Sequence, residues 1–432
     1  MDFEKICVVG LGYIGLPTAA VIASRKKQVI GLDVNQEAVD TINRGEVHFV
    51  EPGLDTIVMG AVSQGYLKAT TVPETADAYI IAVPTPFKNH HEPDLGFIEA
   101  ASKTIAPVLV KGNLVILEST SPVGATEKMA EWLSIARPDL TFPQTHGEQS
   151  DVRIAHCPER VLPGQVIREL VDNDRVIGGM TLKCSQAAIS LYRIFVEGDC
   201  VATNVRTAEL TKLTENSFRD VNIAFANELS NICEHLNVDV WELIKLANRH
   251  PRVDILNPGP GVGGHCIAVD PWFIIDGAPD DANLIFSARN VNDNKPNRVV
   301  KSIVKHANRK STKTVVCLGA TYKPNIDDIR ESPAIQIIKN ISKLGFEVKI
   351  VDSNLSEVPN ELCEYECELI SLSEAIDLKT PNVLALLVGH KEFVGSKELR
   401  LQSPVDFCGA LAERRDVQER RMDKPSVELK DI

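Results

Sequence analysis

The chain opens on an unbroken apolar run, "KICVVG", from Lys5 to Gly10. A run that is apolar on both faces predicts a strand buried inside a parallel sheet. "GLGYIG" follows and sets glycines at Gly10, Gly12 and Gly15. "LPTAAVIASR" then reads as a helix and "QVIGLD" as the next strand, ending at Asp33. Further apolar runs stand at "AYIIAVPTP" and "NLVILESTSP", with helical stretches between them. Strands alternating with helices predict an α/β domain whose parallel sheet is covered on both faces.

The pattern changes at Thr207. From there to His235 the chain has neither Pro nor Gly and reads as one helix, roughly 40 Å long at 1.5 Å per residue. Its apolar positions, among them Leu213, Ile223 and Leu229, need a partner surface, so the helix predicts a homodimer. "HPRVDILNPGPGVGGH" must be loop. A second strand–turn–helix pattern starts near residue 310. It has a strand in "TKTVVC", a helix capped near Ser332 and a strand ending at Asp352, without the glycine triplet. The tail after Leu411 is strongly charged. The expected organisation is therefore an N-terminal NAD-binding domain over 1–204, a central helical domain over 205–309, a C-terminal nucleotide-binding-like domain over 310–411 and a charged tail over 412–432. The fold class is α/β, with two Rossmann-like doubly wound parallel-sheet domains joined by a central helical domain with a long helix.

A length of 432 residues suits such a multidomain chain, and 44% apolar with 24% charged residues is a globular composition. The formal net charge of −13 argues against nucleic acid and anionic membrane as partners. A polyanionic small ligand would then need a local basic pocket. No apolar run reaches the ~18 residues of a membrane span, and "MDFEKICVVG" lacks a signal-peptide pattern. Ten cysteines without a C-x-x-C pair, the closest being Cys363 and Cys367, read as reduced thiols of a cytoplasmic protein with no metal site.

A G-x-G-x-x-G motif alone is weak. Here a buried strand precedes it, a helix follows it and an acid stands about twenty residues on. The glycines let a pyrophosphate approach the backbone at a helix N-terminus, where peptide dipoles favour an anion. Asp33 can accept from ribose hydroxyls and would repel a 2′-phosphate, which favours NAD over NADP. Thr85 in "VPTP" and the "ESTSPVG" segment end later strands at the ligand-binding edge; singly, each reads rather as a turn or cap residue.

"GVGGHCIAVDP" raises the question of the reaction. Three glycines precede His265 and Cys266, and Asp270 comes four residues after the cysteine. Alone, Cys266 reads rather as a buried thiol beside a tight turn. Beside NAD, a nucleophilic cysteine suggests oxidation past the aldehyde. A thiohemiacetal would be oxidised to a thioester, and water would cleave it to a carboxylate. That chemistry needs a cation or amide near the oxyanion and a carboxylate near the water. Lys212 and Asn216 share a helix face at i, i+4, with Arg219 further along, and "CPERVLPG" offers Glu159. Each of these taken singly is an ordinary polar surface residue.

Together, "GLGYIG", "VPTP", "ESTSPVG", "CPER", "AELTKLTENSFRD", "GVGGHCIAVDP" and "KPNIDDIRESP" resemble, in matching order over about residues 5–410, the UDP-sugar 6-dehydrogenase family. "CPERVLPG", "NRHPRV" and "GGHCIAVDPWF" look like the members that oxidise UDP-N-acetyl-D-mannosamine; Arg160 and His265 stand where UDP-glucose members usually carry phenylalanine and serine. The resemblance implies a homodimer, no metal and two successive NAD-dependent oxidations at C6 of a UDP-sugar, giving an aminouronic acid for surface polysaccharide. It implies that Cys266 is the nucleophile, Lys212 the acid/base and oxyanion stabiliser assisted by Asn216, Asp270 a support for Lys212 or a water, and Glu159 the hydrolytic base with Thr120 nearby. Tyr13, Ile14, Asp33, Thr85, Thr126 and Arg330 would contact NAD. Arg160, Val161, Arg219, His250, Arg252, Gly263, Tyr322 and Lys323, with Lys212 and Asn216, would line the substrate site. Cys408 in "VDFCGA" departs from the family, which commonly has a basic residue there; Arg414 or Arg415 could supply one. The alternatives are oxidation of UDP-N-acetylglucosamine or UDP-glucose, a dehydrogenase that stops after one hydride, and a binding protein without turnover, although Cys266, Lys212 and Glu159 are all present.

Overall fold

The computed structural model describes residues 3–88, 91–162, 164–264 and 266–411. His265 and the tail with Arg414 and Arg415 lie outside the described residues. Internal packing divides the chain into two units. One holds the chain up to Phe218 together with Val269–Asn283; the other holds Arg219–Ala268 and the chain from Leu284 onward.

The first unit carries eight strands: β1 Lys5–Val9, β2 Gln28–Leu32, β3 Leu67–Thr70, β4 Ala78–Ile81, β5 Leu114–Leu117, β6 Arg153–His156, β7 Arg175–Gly179 and β8 Cys200–Asn204. They form one sheet in the order β3-β2-β1-β4-β5-β6-β7-β8. Val9 pairs with Leu32 and with Ile81, and Ile81 with Leu117, so these parallel strands end at one common edge. Gly10, Asp33 and Glu118 follow directly at that edge. The sheet is not parallel throughout, because β6 and β7 run antiparallel. Ile6 and Val8 pack into one buried cluster and Cys7 and Val9 into another. That is why β1 is apolar at every position: the alternating side chains of a strand face two different cores.

The second unit holds β9 Thr314–Leu318, β10 Glu347–Val351, β11 Cys367–Leu369, β12 Val383–Leu386 and β13 Val405–Asp406, ordered β11-β10-β9-β12-β13 and parallel throughout. Ser332 caps the helix Pro333–Lys343 by accepting from the Ile335 N–H, as the sequence predicts.

The long helix spans Val205–Leu236, 32 residues, or about 48 Å. Its apolar face is not the expected one. Leu213 is fully buried and Ile223 and Leu229 are half-buried, whereas Phe218, Phe225 and Ile232, seven residues apart, are 68%, 53% and 45% exposed. Period and position agree with a helix stripe, but listing apolar residues does not fix which stripe the chain itself covers. A second helix, Asn283–Arg309, carries Pro296 inside it. In the second unit, buried Arg289 of this helix bonds to buried Asp220 of the long helix at 2.5 Å, with Asn292 Nδ2 donating to Asp220 at 2.8 Å and Asp293 as a further partner of Arg289. A buried pair with these extra hydrogen bonds fixes the register of one helix against the other.

Candidate active site

The turn after β1 shows a different use for each glycine. Gly10 has φ +90°, and a Cβ there would lie 2.7 Å from the Ala82 carbonyl oxygen. A Cβ on Gly15 would lie 1.7 Å from the Gly10 oxygen, so the helix Gly15–Ser24 can pack this close to the turn only without a side chain. A Cβ on Gly12 would meet nothing within 4 Å; that position faces open space, where a pyrophosphate could approach the backbone. The helix starts without a side-chain cap and without an acid in its first turn, so nothing neutralises the positive end of its dipole, which favours an anion there. Asp33, half-exposed, accepts from the Leu11 N–H at 2.7 Å and the Asn35 N–H at 2.9 Å. It therefore also holds the glycine turn in place. This cradle fits NAD: open backbone at Gly12, an uncapped helix N-terminus and a carboxylate at the strand end.

Around the cradle, Tyr13 packs its ring on Phe49 at 4.4 Å, and Ile14 is the residue before the helix. Thr85 Oγ1 donates to the Thr120 carbonyl at 2.5 Å, which ties together the segments after β4 and β5. Thr126 is fully buried, and its N–H and hydroxyl both donate to Glu209, at 2.8 and 2.7 Å. Glu209 also accepts from the Gly124 N–H at 2.7 Å, so a carboxylate of the long helix caps the helix Ala125–Ala136. A cavity of about 450 Å³ lined by Lys5, Asp77, Lys111 and Asn113 lies at the N-terminal ends of the strands, the opposite edge of the sheet.

Lys212 and Asn216 come together with Asp270. Asn216 Nδ2 donates to Asp270 Oδ2 at 2.5 Å, and both residues are buried. Burial pushes the Asp270 carboxyl up to about 6, with the Asn216 hydrogen bond and the Lys212 charge pulling against it. Asp270 opens the helix Asp270–Gly277. Aromatic contacts anchor that helix: Trp272 stacks on His91 at 4.0 Å, and Phe273 meets Phe87 edge-on at 5.6 Å. The arrangement offers a half-buried ammonium and an amide beside a carboxyl that can carry or release a proton near neutrality.

Glu159 is buried after β6, and its Oε2 accepts from the Val161 N–H at 2.7 Å. Its other oxygen faces Arg175 Nη1 at 3.4 Å. Arg160 reaches Glu215 of the long helix through Nε at 3.1 Å and Nη2 at 2.6 Å, and the Asp174 carbonyl through Nη1 at 3.3 Å. Much of its donor fork is thus committed within the protein. Glu51 pins the following loop by accepting from the Gly164 and Val166 N–H groups, each at 2.9 Å.

The remaining expected residues belong to the second unit. Cys266 is exposed. All ten cysteines are thiols. The glycines before it serve close packing: a Cβ on Gly263 would lie 2.6 Å from the Glu331 oxygen and 2.9 Å from Tyr322 Cβ, and one on Gly264, at φ +81°, 2.9 Å from the Tyr322 ring. Gly264 N–H donates to the Arg330 carbonyl at 3.3 Å. Gly263, Tyr322 and Arg330 are thus brought together. The Arg330 side chain pairs with Asp328 at 2.6 Å. Lys323, Arg219, His250 and Arg252 are exposed, with the Arg252 N–H donating to His250 Nδ1 at 3.3 Å. Cys408 lies 3.4 Å from Asp406 and is half-buried. The strand-end acid of this unit, Asp352, is buried and already accepts from the Ala320 N–H at 2.8 Å and lies 3.1 Å from His390. Its other oxygen accepts from the Asn354 N–H at 3.0 Å, so this acid is buried and engaged within the protein, unlike half-exposed Asp33.

Glu209, Glu215, Glu118 and Arg175 were not legible as site residues. The available signal was a charge beside an apolar stretch, as in "AELTKL" and "LVILEST".

Comparison with known proteins places these features. Three profiles of the UDP-glucose/GDP-mannose dehydrogenase family match in chain order: the NAD binding domain over residues 4–196, the central domain over 206–294 and the UDP binding domain over 316–409. The chain belongs to this family. The glycine cradle is thus that of an NAD binding domain, and the unit without an open strand-end acid carries the UDP binding domain. The chain is 62% identical over 410 residues to UDP-N-acetyl-D-mannosamine dehydrogenase of Campylobacter jejuni, covering 94% of this chain and 100% of that one. It is 60% identical over 407 residues to NDP-N-acetyl-D-galactosaminuronic acid dehydrogenase of Ralstonia nicotianae, covering 94% and 95%. Among solved structures, UDP-D-ManNAc dehydrogenase of Pyrococcus horikoshii superposes with a TM-score of 0.83 at 36% identity, covering 96% of this chain and 97% of that one. The two-sheet α/β fold with a helical centre, the cofactor and the family expected from the motifs are therefore as read. Among the described residues, no helix is long and apolar enough to cross a membrane.

Proposed function

We propose that the protein oxidises UDP-N-acetyl-D-mannosamine at C6 to UDP-N-acetyl-D-mannosaminuronic acid through a thioester on Cys266. The observation that carries this reading is full-length identity near 60% to dehydrogenases of that name. The buried Asn216–Asp270 pair beside Lys212 supports it chemically. NAD, held by Gly10, Gly12, Gly15 and Asp33, supplies a hydride acceptor, and two are consumed per sugar. Lys212, after passing a proton to Asp270, would take the C6 hydroxyl proton as an amine while loss of the first hydride leaves the aldehyde; the ammonium so formed, with Asn216, would stabilise the oxygen as charge develops on it. The Cys266 thiolate would add to the aldehyde carbon, and loss of the second hydride would leave the thioester. Water would then bond to the carbonyl carbon while its proton passes to Glu159. The C–S bond breaks and Cys266 leaves as thiolate. Asp270 would restore the proton balance of Lys212. Lys323, His250, Arg252 and Arg219, with the Tyr322 hydroxyl as a further donor, would supply the cations that an acidic chain needs for a nucleotide diphosphate.

The same reading places the enzyme in the cytoplasm, where it would supply an aminouronic acid for surface polysaccharide. It also makes the protein a homodimer. The exposed stripe of Phe218, Phe225 and Ile232 supports that. Sedimentation at micromolar concentration should give twice the mass of one chain, and Phe225→Glu should shift it toward monomer. A wild-type monomer with full activity would remove the dimer from the account.

The substrate is tested by comparing turnover of UDP-N-acetylmannosamine, UDP-N-acetylglucosamine, UDP-N-acetylgalactosamine and UDP-glucose at equal concentration. The manno sugar should turn over fastest. UDP-glucose should be slower by about tenfold to a thousandfold, because a pocket built around an acetamido group leaves its polar partners unpaired when that group is missing. Faster turnover of any competitor overturns the assignment.

A further inference from the structure

Behind Glu159 lies a buried ionisable cluster that the mechanism above does not use. Glu118, at the end of β5, is fully buried. It accepts from Tyr192 Oη at 3.0 Å and from Thr18 Oγ1 at 3.3 Å. Thr18 belongs to the helix Gly15–Ser24, whose N-terminus forms the cofactor cradle. Arg175 of β7 is also fully buried. Its Nη1 faces Glu159 at 3.4 Å, its Nη2 donates to the Leu170 carbonyl at 3.1 Å, and its Cζ lies 5.7 Å from the centre of the Tyr192 ring. Its Nε is buried without a hydrogen-bond partner among the described residues.

We infer that Glu118 is a positioning residue which, through the shared guanidinium of Arg175, tunes Glu159 as the base of thioester hydrolysis and ties that base to the helix of the cofactor cradle. The inference rests on the function proposed above. The ionisable and polar groups facing Glu118 are Arg175 from β7, Tyr192 from the helix Leu182–Tyr192, Thr18 from the cradle helix, and Cys157 and Glu159 from the segment after β6. Arg175 pairs directly with Glu159, and its charge also favours ionised Glu118 without bonding to it; among the described residues no other cation acts on Glu118. Burial pushes the Glu118 carboxyl up to about 7, with Arg175, Tyr192 and Thr18 drawing it down. Its charge is thus balanced near neutral pH. When Glu118 is ionised it competes with Glu159 for Arg175; when it is neutral, the guanidinium serves Glu159 alone.

Glu118→Gln removes the charge and keeps the shape and hydrogen-bonding ends of the side chain. Tyr192→Phe keeps the ring beside Arg175 and removes one donor that favours ionised Glu118. Both leave Arg175 more fully to Glu159. The experiment mixes whole enzyme with UDP-N-acetylmannosamine and excess NAD, quenches at intervals and follows the protein-bound thioester by intact mass from pH 5 to 9. The ratio of wild-type to Glu118→Gln decay rates should stay near one below pH 6, where Glu118 is neutral in both, and depart by about twofold or more above pH 8, where only wild type carries the second charge. In Tyr192→Phe the departure from Glu118→Gln should begin at higher pH than in wild type. KM for NAD and for the sugar should stay within about twofold. A ratio near one over the whole range with a folded Glu118→Gln, or a Tyr192→Phe profile identical to wild type if the first variant does not fold, overturns the inference. If wild type forms no protein-bound thioester, the function proposed above fails instead.

Discussion

Cys266→Ala should form no uronic acid, a loss of at least about a thousandfold, while NAD binding and thermal stability stay close to wild type. A nucleophile that forms the covalent intermediate has no substitute among neighbouring groups, and its removal costs far more than loss of a binding contact. The stability half of the expectation comes from exposure. Cys266 is exposed, so truncation leaves no cavity. NAD binding is carried by Gly10, Gly12, Gly15 and Asp33 in the first unit, where the substitution changes nothing. Isothermal titration with NAD, a thermal melt and chromatography of the sugar products check the three parts. Uronic acid at wild-type level from the variant would remove the covalent mechanism.

Asp270→Asn should lower kcat by about a hundredfold to a thousandfold and, at the same time, stabilise the protein. The catalytic part follows from the loss of the carboxylate that is bonded to Asn216 and faces Lys212. The stability part follows from burial. The Asp270 carboxyl sits at about 6 in the folded protein against an ordinary 3.8. Between those values the folded state binds more protons than the unfolded state, so Asp270 lowers stability as pH rises from about 4 to 6 and the loss persists above. Its size is on the order of 2–3 kcal/mol. Asparagine carries no charge and still accepts from Asn216. The variant should therefore melt several degrees above wild type at pH 8 and within about a degree of it at pH 4. Equal melting temperatures at pH 8 would show that the ionised carboxyl is not held at a cost.

Much of this was legible in the sequence, for physical reasons that differ by element. β1 announced itself because a strand between two cores must be apolar at every position, and the glycine turn because three separate steric and ligand requirements fall at fixed spacing. The helix Val205–Leu236 was legible from the absence of breakers, but its exposed face was not, since Leu213 and Phe218 are equally apolar and only packing tells which is covered. The helix Asn283–Arg309 was hidden by Pro296, which propensity reads as a break; the buried Asp220–Arg289 pair and the apolar face of Val299, Val300 and Ile303 override it. Asp270 could be picked from its distance to Cys266, but not its burial against Asn216. Arg175 and Glu118 carried no motif at all. They are 57 positions apart in the chain, and only the folding of β5 beside β6 and of β6 beside β7 gives them a common neighbour in Glu159.

The account's central claim is that one site takes a C6 alcohol to the acid without releasing the aldehyde. The most direct measurement is the number of NADH formed per UDP-N-acetylmannosamine consumed at completion, with limiting sugar and excess NAD. Two NADH, with uronic acid as the only product and no aldehyde captured by hydroxylamine, is the predicted result. One NADH with an aldehyde trapped in equal amount would contradict it.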